Sequence, residues 1–70
     1  MITQKDIQKG DLIVLRDTGW KATILDNYKT RNIRLAEVDG IFKEVGSIYA
    51  SNIHSVKRDG EWKPVNYQEA

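Results

Sequence analysis

Seventy residues with no cysteine and one histidine exclude disulfides, thiolate metal sites and a histidine cluster. The fold therefore rests on apolar packing and sheet hydrogen bonds, or on a partner. Eleven basic against ten acidic residues leave a net charge of +1, which excludes the overall basic excess of a dedicated nucleic-acid binder and confines any such role to a local patch.

The first elements are short. Thr3 and Asp6 can cap a single N-terminal turn, which would place Ile7 at the edge of the packed core. The stretch Met1–Asp11 is charged where a signal peptide needs an apolar run. Leu12-Ile13-Val14-Leu15, bounded by Gly10 and Gly19, reads as a strand, and it is the longest apolar run in the chain, far too short to span a bilayer. Trp20, Ala22 and Ile24 then share one face of a half-buried strand, with Lys21 and Thr23 on the other. Residues 32–38 repeat the pattern with Ile33 and Leu35 inward. The alternation slips at Ala36 and Val38, as a β-bulge or burial of both faces would make it do.

Two Asp-Gly pairs punctuate the second half, and each predicts a two-residue type I′ hairpin turn. Asp39-Gly40 would join residues 35–38 to 41–45. Asp59-Gly60 would pair Arg58 with Glu61 as opposite charges, Lys57 with Trp62, and Val56 with Lys63, so that the lysine stem covers the indole. Between them, Gly46 would let a strand bend, and Ser51-Asn52 predicts a 3₁₀ turn. Pro64 marks its strand as an edge or an end. Residues 66–70 carry no pattern and are expected to fray. No helix of useful length is expected. The predicted core is Leu12, Val14, Ala22, Ile24, Ile33, Leu35, Ile48, Ile53 and Val56. One domain spans 1–70, ordered over about 7–65, with a soluble, cytoplasmic location expected from the reduced composition.

Gly10-Asp11-Leu12-Ile13-Val14, the turn at Gly19, the strand Ala22-Thr23-Ile24-Leu25 and the turn Ala50-Ser51-Asn52-Ile53 leading to Val56 together resemble the SH3-like barrels. The chain is similar to the KOW-type barrels of ribosomal proteins and transcription factors, and to the barrel subunit of cyanobacterial photosystem I. Gly46–Val56 also resembles segments of small phage proteins. The likeness covers roughly residues 9–58. It implies an all-β, antiparallel barrel of five or six strands with a C-terminal hairpin. A KOW motif keeps a second glycine soon after the first. Trp20-Lys21-Ala22-Thr23 stands there instead, so the resemblance implies barrel architecture rather than RNA contact.

Chemistry is sparse. His54 is the only histidine, and no phosphate loop or carboxylate cluster with metal spacing appears. General acid–base work needs titratable groups gathered in a pocket. The expectation is no enzyme, no cofactor, no metal, no membrane and no small-molecule substrate. Two binding readings stay open. Trp62, Lys57, Tyr49 and Trp20 could line one groove, with Tyr28 or Phe42 nearby, for a protein partner, the chain itself or a larger assembly included, as aromatic strips do on barrels that grip peptides. Alternatively Tyr28, Lys29, Arg31 and Arg34, with no acid between Asp26 and Glu37, could bind single-stranded nucleic acid by phosphate neutralisation and stacking.

Overall fold

The computed structural model describes residues 2–27 and 32–66. Seven strands form one sheet: β1 (Ile2–Thr3), β2 (Leu12–Leu15), β3 (Lys21–Asn27), β4 (Ile33–Asp39), β5 (Lys43–Tyr49), β6 (Ile53–Arg58) and β7 (Glu61–Asn66). They lie in the order β1-β7-β6-β2-β3-β4-β5, and the sheet is not closed by pairing of β5 with β1. Every neighbouring pair is antiparallel except β1 and β7, which run parallel through Ile2↔Val65 and Thr3↔Asn66. The only helical pieces among the described residues are two 3₁₀ turns, Gln4–Asp6 and Ala50–Asn52, and none is long and apolar enough to cross a membrane. The protein is thus all-β. The strand beyond the expected five or six is β1, whose two residues pair before the chain turns.

That first turn is held as the Thr3/Asp6 spacing suggests. The Thr3 backbone N–H and Oγ1 both donate to Asp6 Oδ2, at 2.9 and 3.2 Å. Ile7 lies fully inside the core instead of at its edge. It joins Ile13, Leu15, Ala22, Ile24, Ala36, Ile53, Val56 and Val65, with Ile2, Val38 and Ile48 packed against them.

Ala22, Ile24, Ile53 and Val56 are buried as expected, and Ile48 is partly so. Leu12 and Val14 are not core residues: the inward pair on β2 is Ile13 and Leu15. All four positions are apolar, so alternation alone admits either phase. Pairing of Ile13 with Ala22 on one side and Val56 on the other selects between them. On β4, Ile33 and Leu35 likewise give way. Arg34 and Ala36 point inward, Ile33 is exposed and Leu35 half-buried. The irregularity expected on this strand lies on its neighbour. The register passes from Ile24↔Ala36 to Asp26↔Leu35, so Leu25 is the extra residue of a β-bulge on β3.

The two Asp-Gly turns differ. Asp59 and Gly60 have φ of 53° and 78°, and the hairpin register is Arg58↔Glu61, Lys57↔Trp62 and Val56↔Lys63, as expected of type I′. Asp39 instead pairs with Lys43, leaving Gly40-Ile41-Phe42 as a three-residue loop. Here the glycine serves a close approach. A Cβ on Gly40 would lie 2.5 Å from Cε3 of Trp20, whose ring covers it. The β4–β5 ladder then runs unbroken to Ile33↔Tyr49, so Gly46 does not divert the strand; it faces Ala36.

The Ala50–Asn52 turn ties the lower end together. Arg16 Nε and Nη2 donate to the carbonyls of Ser51 and Val65 (3.2 and 3.0 Å). The Asp17 N–H donates to Asn52 Oδ1, and Asn52 Nδ2 returns a bond to Asp17 Oδ1. From the start of β4, Asn32 Oδ1 accepts the Ser51 N–H at 2.9 Å. These bonds satisfy backbone groups that leave the ladders at the turn. Of the tail expected to fray, 67–70 lie outside the described residues.

Candidate protein-binding surface

The tip of the β4–β5 hairpin exposes two consecutive large apolar side chains, Ile41 at 82% and Phe42 at 75%. A strand would have sent neighbours to opposite faces and buried one of them. The three-residue loop sends both to solvent. Beside them Trp20, 41% exposed, lies over Gly40. Trp20 stands just before β3 and stays partly exposed where Ala22 and Ile24 are buried. Trp20, Val38, Ile41, Phe42 and Glu44 surround a depression of about 210 Å³. Of this group Trp20 is a candidate from the sequence, and Phe42 is expected near it. The readable signal for the rest is the Ile-Phe pair directly after a glycine, which suits a loop as well as a strand.

Further along β5, Val45 and Tyr49 are also exposed, at 63% and 66%. Both stand on the outer face of the sheet, opposite Glu37 and Ile33. Tyr49 is six residues from Lys43, at the far end of β5 and roughly 20 Å from the Trp20 corner.

Trp62 is half-exposed, and the Lys57 ammonium lies 5.9 Å from its ring centroid, a cation–π pair across the hairpin. This contact matches the expected register. Trp62 and Tyr49 are nevertheless carried by β7 and β5, with β6, β2, β3 and β4 between them in the sheet. Trp20 lines the depression with Ile41 and Phe42, while Tyr49 and Trp62 stand on strands that are not neighbours in the sheet. Pro64 sits on β7 where β1, which reaches only Val65 and Asn66, leaves the strand uncovered among the described residues.

A larger depression, about 520 Å³, lies by β1 and β7 against Ile2, Arg58, Asp59, Lys63, Pro64 and Asn66. Its arginine is already engaged. Arg58 Nη2 is 2.6 Å from Asp11 Oδ2, its Nε donates to Asp11 Oδ1, and Nη2 also donates to the Asp6 carbonyl at 2.7 Å. Hydrogen bonding to Asp11 raises the guanidinium's pKa. Arg58 is thus opposite Glu61 in register, but its ion pair is with Asp11, and it clamps β6 to the first turns.

Tyr28, Lys29 and Arg31 lie outside the described residues. Arg34 does not belong to a solvent loop. It is fully buried on β4, with Nη1 donating to the Ile33 carbonyl (2.7 Å) and Nη2 to the Gln4 carbonyl (3.1 Å). Burial lowers its pKa, because an apolar setting disfavours the charged form. A guanidinium placed this way staples the N-terminal turn to β4 and cannot reach a phosphate. His54 is exposed, with Nδ1 2.8 Å from Ser55 Oγ. Among the described residues no three metal-ligating side chains converge. No family model, curated protein or solved structure matches the chain.

Proposed function

We propose that the protein is a non-enzymatic binding module that holds a protein partner through the apolar corner of Trp20, Ile41 and Phe42. The observation that carries this reading is the exposure of Ile41 and Phe42 together at a hairpin tip, beside a half-exposed tryptophan. Apolar surface left in water forgoes about 25 cal/mol per Å² of burial. Contiguous exposed apolar patches on small soluble domains mark interaction sites. The near-balanced charge supports a protein over a polyanion, and with Arg34 inside the core the basic stretch retains two cations, Lys29 and Arg31. Trp62 with Lys57 is a smaller, separate contact.

The test is capture from the native host's lysate on immobilised protein, with and without nuclease, comparing the wild type with Phe42→Ser and Trp62→Ala. Capture that survives nuclease and is lost in Phe42→Ser supports the module. Retention that vanishes with nuclease, or that Phe42→Ser leaves intact, refutes it.

A further inference from the structure

The sheet has two edges, and they are built differently. β1 is two residues long, short enough to offer almost nothing to another strand, and the stretch of β7 it leaves uncovered carries Glu61, Lys63 and Pro64, the charges and proline that block edge pairing. β5 has seven residues, and its outer edge has no strand neighbour among the described residues. Proteins usually protect such edges with proline, bulges or several charges. Here Val45–Tyr49 contains no proline and no charge, and its ladder with β4 is free of bulges. We infer that β5 pairs antiparallel with β5 of a second copy, about a two-fold axis through Val45, joining two sheets into one. This rests on the protein-binding reading above and names the partner.

Three observations favour a second copy. First, β1 is too short to receive β5, so identical chains can meet through these edges only as β5 with β5. That contact is isologous and closes as a dimer instead of growing into a fibre. Second, among the allowed registers one both avoids like charges and engages the hairpin tip. A two-fold axis perpendicular to a sheet keeps each side chain on its own face, so only even registers are allowed. Centring on Lys43 or Glu44 sets like charges opposite each other, which is unfavourable. Centring on Val45 sets Val45 against Val45 and Lys43 against Ser47. It also brings the hairpin tip over the far end of the partner strand, with Phe42 towards Ile48 and Ile41 towards Tyr49. Registers centred on Gly46, Ser47 or Ile48 also avoid like charges, but they carry Ile41 and Phe42 beyond the end of the partner's β5. Third, Ile41, Phe42, Val45 and Tyr49 are all exposed, and this pairing sets each of them beside an apolar residue of the partner strand.

The experiment uses the full chain. Sedimentation velocity from micromolar to millimolar concentration should show the mass of two chains emerging. Val45→Lys, which sets two ammonium groups across the axis, and Tyr49→Lys should each weaken the dimer at least about tenfold, with melting curves showing that both remain folded. Because the chain has no cysteine, single substitutions read the register. Val45→Cys should form an intermolecular disulfide under mild oxidation well ahead of Lys43→Cys and Ser47→Cys, whose twins lie several residues apart along the pair. A monomer at every concentration overturns the inference, as do a dimer indifferent to both lysine variants and equal cross-linking at the three positions. A monomer that still captures a foreign protein through Phe42 would leave the binding module standing with a different occupant, so the two readings fail separately.

Discussion

Replacing Ile13 by alanine tests the inward phase of β2 and, with it, the arrangement of the core. Ile13 is fully buried between Ala22 and Val56. The change removes three carbons, worth about 2.5 kcal/mol in transfer free energy. The cavity left behind adds about 1–2 kcal/mol if β3 and β6 cannot close over it, for a total of about 3–4 kcal/mol. A 70-residue chain is stable by roughly 3.5–10 kcal/mol, so Ile13→Ala removes a third or more of the whole and lowers Tm by about 10–30 °C. Val14, one residue on, pairs with Lys21 and Ser55 and is half-buried. Val14→Ala should cost at most about 1 kcal/mol. The assay is urea unfolding followed by far-ultraviolet circular dichroism, with both variants compared at a common m value. If Val14→Ala proves as damaging as Ile13→Ala, β2 is turned the other way and the described core is wrong.

Arg34→Ala should destabilise by about 3 kcal/mol, since it leaves a cavity and removes one of the donors to the Gln4 carbonyl. Arg34→Met, which keeps the stem's volume, should cost less, and a shift under ~1 kcal/mol for the alanine variant would mean the side chain is not held inside. Asp6 and Asp17 have lowered pKa values, through the Thr3 N–H and the Asn52 amide respectively. Each binds its proton more readily in the unfolded chain. The stability they confer is therefore complete above the ordinary aspartate range, and it is lost as pH falls through their folded values, below about pH 4. Thermal melts between pH 7 and 2 should show this fall, with a shallower acid limb in Asp17→Asn; stability that rises on acidification contradicts the sign. Gly40→Ala should push the Trp20 ring outward at a cost of about 1 kcal/mol, and the emission of Trp20 in a Trp62→Phe background should shift to the red; an unchanged spectrum removes the close approach. Gly60→Val should cost more than Trp62→Ala in urea unfolding, because Gly60 has φ of 78° while Trp62 is a half-exposed side chain; the reverse order would mean that the turn tolerates a branched residue and Trp62 is part of the core.

The proposed binding surface is legible in the sequence only where local chemistry controls it. The Lys57–Trp62 contact follows from the Asp59-Gly60 turn, because a two-residue loop leaves one register. The Ile41–Phe42 corner does not follow from Asp39-Gly40. That turn is covered by the indole of Trp20, which stands just before β3, some twenty residues away in sequence. Arg34 shows the same limit in reverse. Its charge and its neighbours Lys29 and Arg31 read as a basic loop, yet the Gln4 carbonyl, thirty residues earlier, draws it inward.

The sequence by itself determined what depends on near neighbours. Alternation and short apolar runs without helical spacing made the chain all-β. Thr3 with Asp6, Ser51-Asn52 and Asp59-Gly60 formed turns because their backbone and side-chain preferences act within three residues. Tertiary structure decided the phase of β2 and β4, the place of the bulge and the length of the β4–β5 loop. In Leu12–Leu15 every position can be buried, so the choice passes to the flanking strands, which present Ala22 and Val56 to Ile13. On β4, the extra residue Leu25 shifts the pairing so that small Ala36 meets Ile24, and Arg34 finds its acceptor on the first turn. A side chain's face is a two-valued choice along a strand, and only the pairing of distant segments can select between the two values.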